Sequence, residues 1–83
     1  MMEEPSRDEL RGILASRISI VLKALREDSD MSQQDLATSL GWTRNVIANL
    51  ESGRRTVRFV DFVIVARALH IEPERLLRRV LYW

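Results

Sequence analysis

Apolar residues recur along most of this chain at intervals of three and four, the spacing of one face of an α-helix. Leu10, Ile13, Leu14, Ile18, Val21, Leu22 and Leu25 make the first such stripe. Ser6 can cap it, with Glu9 three residues on to reach back, so a first helix is predicted from just after Ser6 to about Arg26. The polar run EDSDM, residues 27–31, is expected to stop it. Ser32 is the next cap and Asp35 falls at the third helical position, which predicts a short second helix over Gln33–Leu40 ending at Gly41. With Thr43 as its cap, a third helix is predicted from Arg44 to about Ser52, turning Ile47 and Leu50 inward and closing at Gly53.

The stretch from Phe59 to Ala66 is rich in valine, isoleucine and phenylalanine, and propensity alone would make it a strand. Periodicity overrules that: Phe59, Phe62, Val65, Ala66 and Leu69 share one helical face, and no second strand exists to pair with it. It is read as a fourth helix. Pro73, tolerated at a first helical position, opens a fifth that continues through Leu76, Leu77, Val80 and Leu81. Glycine occurs only at 12, 41 and 53 and proline only at 5 and 73, so little interrupts these helices. The fold predicted is all-α, a compact five-helix domain.

Length allows one domain over residues 1–83, with 1–5 predicted to be disordered, 6–15 a helical N-terminal extension and 78–83 an apolar C-terminal one. Cysteine is absent, which removes disulfides and thiolate metal sites and leaves apolar packing to hold the fold. The acidic N-terminus is unlike a secretory signal and no apolar run reaches membrane-spanning length, so a soluble cytoplasmic protein with no membrane partner is expected. Net charge, +1, changes little by itself. Its distribution is uneven: residues 32–60 hold four bases against two acids, and Arg54, Arg55 and Arg58 have only Glu51 nearby as counter-charge. Such a cluster is either a solvated loop or a phosphate-facing edge.

Two short helices joined by a tight glycine-containing turn make a helix-turn-helix unit. In QQDLATSLGWTRNVIANLES the small Ala37 suits a close helix crossing, Gly41 suits a positive backbone angle, and Leu36, Leu40, Ile47 and Leu50 supply the inward face. Gln33, Thr43, Arg44, Asn45 and Asn49 fall outward, residue types that contact phosphates or read base edges, where a face chosen for solubility would carry lysine and glutamate.

Over roughly residues 16–77, RISIVLKALRED, MSQQDLATSLGWTRNVIANLESGRR and FVDFVIVARALHIEPERLL closely resemble the Cro and cI phage-repressor type, the XRE family. The resemblance implies a lambda-repressor-like domain whose third helix enters the major groove of double-stranded DNA. It further implies a homodimer on two related half-sites about 34 Å apart. Carried over, Gln33 would touch a phosphate and brace Arg44; Arg44 and Asn45 would reach base edges, guanine and adenine by their hydrogen-bonding patterns, with Asn49 as third reader. Thr43, Arg54, Arg55 and Arg58 would contact the DNA backbone, and Arg26 would pair with Glu51 structurally. The chain departs from the family pattern at His70, where glycine is usual, and at Arg58, where a better cap usually begins helix 4.

Trp42 is expected to fill the gap between the second and third helices, and His70 to cap a helix end. Scattered carboxylates, with no glycine-rich phosphate loop or metal-ligand spacing, argue against an enzyme and imply no cofactor or metal. Val80, Leu81, Tyr82 and Trp83 lie beyond the resemblance. They either pack back on Leu10, Ile13 and Leu14 or form a homodimer interface, and a two-half-site operator favours the second. The function expected is a transcriptional regulator, a repressor because a compact domain acts most simply by occupying its site. The alternative is an antitoxin-type interaction module, with a protein partner on its C-terminal helix and DNA binding secondary.

Overall fold

The computed structural model describes residues 4–82; residues 1–3 and Trp83, the latter one of the proposed interface residues, lie outside them. Five helices follow one another: α1 (Arg7–Asp28), α2 (Gln33–Leu40), α3 (Arg44–Ser52), α4 (Phe59–Ala68) and α5 (Pro73–Tyr82). Helix α1 packs on α3 and α5, α2 on α3 and α4, and α4 on α5. They enclose one core in which Leu36, Ile47, Leu50, Val65, Leu76 and Val80 are fully buried. Each such side chain contributes about 1.5–3 kcal/mol by leaving water, which is how a chain without disulfides holds together. No described helix is long and apolar enough to cross a membrane.

The caps act as the sequence signals. Ser6 Oγ accepts from the Glu9 amide at 3.2 Å. At α2 the exchange is reciprocal: Ser32 Oγ accepts from the Asp35 amide at 2.9 Å and Asp35 Oδ2 accepts from the Ser32 amide at 3.0 Å. Gly41 ends α2 at φ 69° and Gly53 ends α3 at φ 81°, both left-handed. Helix α1 runs two residues past its expected end, to Asp28. Acidic residues do not break an exposed helix; the break comes at Asp30, at φ 56°, once the Ser29 amide has turned back on the carbonyls of Leu25 and Arg26. His70 takes the left-handed position after α4 at φ 58°, where glycine would carry no Cβ strain.

Two expectations for the core are corrected. Phe59, predicted to face inward, is 79% exposed. It is the first residue of α4, and a helical side chain leans toward the N-terminus, which here carries the ring past the end of the core. Val80, predicted as an interface residue, is 2% exposed inside its own chain, while Leu81 and Tyr82 remain exposed. Nor do Val80, Leu81 and Tyr82 cover the N-terminal stripe: Leu10 and Ile13 are 43% and 47% exposed. The first half of α1 stands clear of the bundle, and the molecule measures 46 Å along its longest axis against 23 and 20 Å.

Val80→Ala is therefore expected to lower stability by about 1–3 kcal/mol in chemical denaturation, as a core truncation does; an unchanged midpoint would remove Val80 from the core. The Asp35 carboxyl is held below its ordinary range by the backbone amide of Ser32 and then by its hydroxyl. A depressed folded-state value means that this stabilisation is present above the ordinary carboxylate range and is lost as pH falls through the lowered value. Thermal midpoints of the native chain and of Asp35→Asn should accordingly converge on acidification, and a gap that persists in acid would show that the carboxylate charge is not what matters.

Candidate nucleic-acid interface

Ala37 on α2 is completely buried, and with no side chain beyond Cβ it lets α3 cross close by. The left-handed turn at Gly41 directs the Trp42 amide back onto the Ala37 carbonyl at 2.9 Å, and the Trp42 ring packs against the core. Helix α3 leaves this turn with Ile47 and Leu50 buried. The opposite face, at helical spacing, carries Arg44 and Asn45, both exposed, then Ala48 and Asn49, half-buried, and Ser52, exposed. Ala48 and Ser52 were not singled out from the sequence, although the period of four from Arg44 reaches both. A residue as small as Ala48 in the middle of that face allows a close approach.

Thr43 occupies the N-cap position but, contrary to expectation, its side chain makes no capping hydrogen bond. The first turn of α3 also lacks an acid. Its amide end therefore presents outward the partial positive charge that attracts phosphate and other acceptors.

Glu51, the one acid of α3, is withdrawn from that face. Its Oε2 accepts from Arg26 Nε at 2.7 Å, and its Oε1 accepts from Arg26 Nη2 at 3.1 Å and from Gln33 Nε2 at 3.1 Å. Arg26 Nη1 donates to the Met31 carbonyl. The two charged side chains are 8% and 5% exposed. The hydrogen bond to Glu51 holds the Arg26 guanidinium above its ordinary pKa, against the cost of burial. Gln33 thus sits at the start of α2 as expected, but its amide is engaged by Glu51 rather than by Arg44.

Beyond Gly53 the chain is held by its own backbone: the Arg55 amide donates to the Asn49 carbonyl at 3.1 Å and the Arg54 amide to Ser52 Oγ at 3.4 Å. The side chains of Arg54 and Arg55 are left exposed beside the C-terminal end of α3. Arg58 differs, since its Nε meets Oδ2 of the buried Asp61 at 3.3 Å across the first turn of α4. The Arg58 side chain is still 70% exposed, so Asp61 anchors it without covering it. Asp61 escaped the sequence reading because nothing in its spacing marks it as buried.

The helix-turn-helix family model matches residues 22–76. Among solved structures, the restriction-modification controller protein C.AhdI from Aeromonas hydrophila is similar at 35% identity and a TM-score of 0.68, covering 76% of this chain and 94% of that one. The clp gene regulator ClgR from C. glutamicum superposes with a TM-score of 0.76 at 22% identity, over 94% of this chain and 92% of its own. A variant of the restriction-modification controller protein C.Esp1396I gives 0.78 at 22% identity, over 83% and 92%. The latter two show likeness of fold. No curated protein sequence matches.

Glu51→Ala leaves the Arg26 charge buried without its partner and is expected to cost about 3–5 kcal/mol. Gln33→Ala, which removes one neutral donor from the same carboxylate, should cost less, about 1.5–3 kcal/mol. Denaturant unfolding of the two variants checks the order; equal losses would mean that the ion pair is not the main element of this network.

Proposed function

We propose that this chain, which belongs to the helix-turn-helix family, is a DNA-binding transcriptional regulator that acts as a repressor, in the cytoplasm, by occupying a two-half-site operator as a homodimer. One observation carries the reading. The exposed face of α3 holds Arg44, Asn45 and Asn49 beside an uncapped helix N-terminus and is flanked by Arg54 and Arg55, while the helix's single acid is buried and neutralised. Such a face is complementary to the major groove, where guanine offers two acceptors and adenine a donor and an acceptor.

In this reading α3 lies in the major groove. Arg44 makes a bidentate contact with guanine, Asn45 with adenine, and Asn49 reads one turn further along. The exposed Thr43 hydroxyl, Arg54, Arg55 and the uncovered part of Arg58 hold the phosphates, and Gln33 adds a phosphate contact only with whatever Glu51 leaves of its amide. That the similar protein C.AhdI is a restriction-modification controller protein supports regulation as the outcome of binding. A compact domain that blocks access to its site represses without further parts.

Selection from random duplexes supplies the operator, and titration at several salt concentrations then separates reading from holding. Arg44→Ala should lose about 1–3 kcal/mol on the selected operator and relax one base pair, with little change on a scrambled duplex. Arg55→Ala should weaken both duplexes alike and reduce the slope of log affinity against log salt by about one. Equal weakening of both duplexes by Arg44→Ala would make it a phosphate contact and displace α3 from the groove.

A further inference from the structure

The outstretched half of α1 and a groove beside its root are both apolar, and both are open. On the arm, Leu10 and Ile13 are exposed and Leu14 is half-buried. The groove, of about 440 Å³, is lined by Ile18, Val57, Phe59, Phe62, Val63 and Leu77. Phe59 and Leu77 are its most open members, at 79% and 46% exposure. The family motif begins only at Leu22, so the arm lies outside the segment that makes the helix-turn-helix. A stripe of leucine and isoleucine at helical spacing, on turns that the fold itself does not bury, needs another partner.

We infer that the partner is a second copy of this chain: the arm of each protomer lies in the groove of the other, with the two α1 helices crossing antiparallel near Leu14. The inference rests on the homodimer reading above and assigns its surface. Three observations support it. Arm and groove adjoin, sharing Ile18, and Leu10 lies eight residues, about 12 Å, up the helix from it. One two-fold axis beside Leu14 therefore brings both arms onto both grooves, and the contact closes at two copies instead of propagating. Leu10, Ile13, Phe59 and Leu77 are 43%, 47%, 79% and 46% exposed, and open apolar surface rimmed by polar residues marks an interaction site. The arm carries Arg7 and Arg11 as well as Asp8 and Glu9, and the lip of the groove carries Glu74, so an arginine of one protomer has a carboxylate to meet on the other.

The test uses the full chain and two double variants at exposed positions, Leu10→Glu with Ile13→Glu on the arm and Phe59→Glu with Leu77→Glu in the groove. Circular dichroism first checks that each remains helical. In sedimentation equilibrium the native chain should be a dimer and each variant a monomer, its association weakened by about 100-fold or more. An equimolar mixture of the two variants should recover a heterodimer, because the intact arm of one fits the intact groove of the other. A native chain that is monomeric at every concentration defeats the homodimer reading itself. A dimer that survives in both variants keeps that reading and overturns the surface. Monomeric variants whose mixture stays monomeric would mean that arm meets arm or groove meets groove, which overturns the exchange.

Discussion

A charge pair that has left water sets the geometry of the face proposed to meet DNA. Taking a guanidinium and a carboxylate out of solvent costs more than their attraction returns unless their remaining hydrogen-bonding capacity is also used. Much of it is here: Glu51 accepts three hydrogen bonds, and Arg26 donates from Nη1 to a loop carbonyl as well as twice to Glu51. The end of α1, the loop through Met31, the first residue of α2 and the end of α3 meet at this point. A shift of α1 against α3 would leave a buried charge unpaired, and a shift of the loop or of α2 would remove a hydrogen bond from it. The apolar core holds the helices together without fixing their register, whereas a bidentate pair fixes distance and direction at once.

The same pair sorts the surface by sign. Had Glu51 pointed outward it would have stood among Arg54, Arg55 and Ser52 and repelled phosphate. Turned inward, it leaves the exposed side of α3 to Arg44, Asn45, Ala48, Asn49 and Ser52, which present donors, acceptors and one small apolar gap. Asp61 does for α4 what Glu51 does for α3: it sits inside the fold and steadies a neighbouring arginine. Both acids are drawn inward, away from the surface on which their arginine-rich neighbours stand.

What could be read in the sequence was whatever depends on neighbours within one turn. Ser6, Ser32 with Asp35, Gly41 and Gly53 each state their backbone geometry locally, and the helices begin and end close to where these residues place them. The inward position of Ile47 and Leu50 followed from period alone. The failures all concern what lies opposite a residue in space. Phe59 has the period of a core residue but no core beneath it, and Val80 has the look of a loose end but fits under α1. Thr43 is a good capping residue whose hydroxyl does not cap, and Gln33 meets a carboxylate eighteen residues away that the resemblance did not assign to it. Asp61 offered no signal, because burial of a carboxylate beside an arginine three residues earlier reads the same as an ordinary exposed pair.

Helix α1 joins two ends of the molecule by one unbroken run of 22 residues, about 33 Å of backbone hydrogen bonds with Leu10 near one end and Arg26 near the other. Mechanically it is a lever. Over the roughly 24 Å between those residues, a tilt of about two degrees moves one end by nearly 1 Å relative to the other, whereas hydrogen bonds to base edges tolerate only a few tenths. Any load on the first turns of α1 is delivered, through the guanidinium at its far end, to the helix that would read the bases. Gly12 is the residue of lowest helix propensity in that beam, and a Cβ built there would meet nothing within 4 Å. How firmly the lever transmits torque is set there, five residues from the start of the helix.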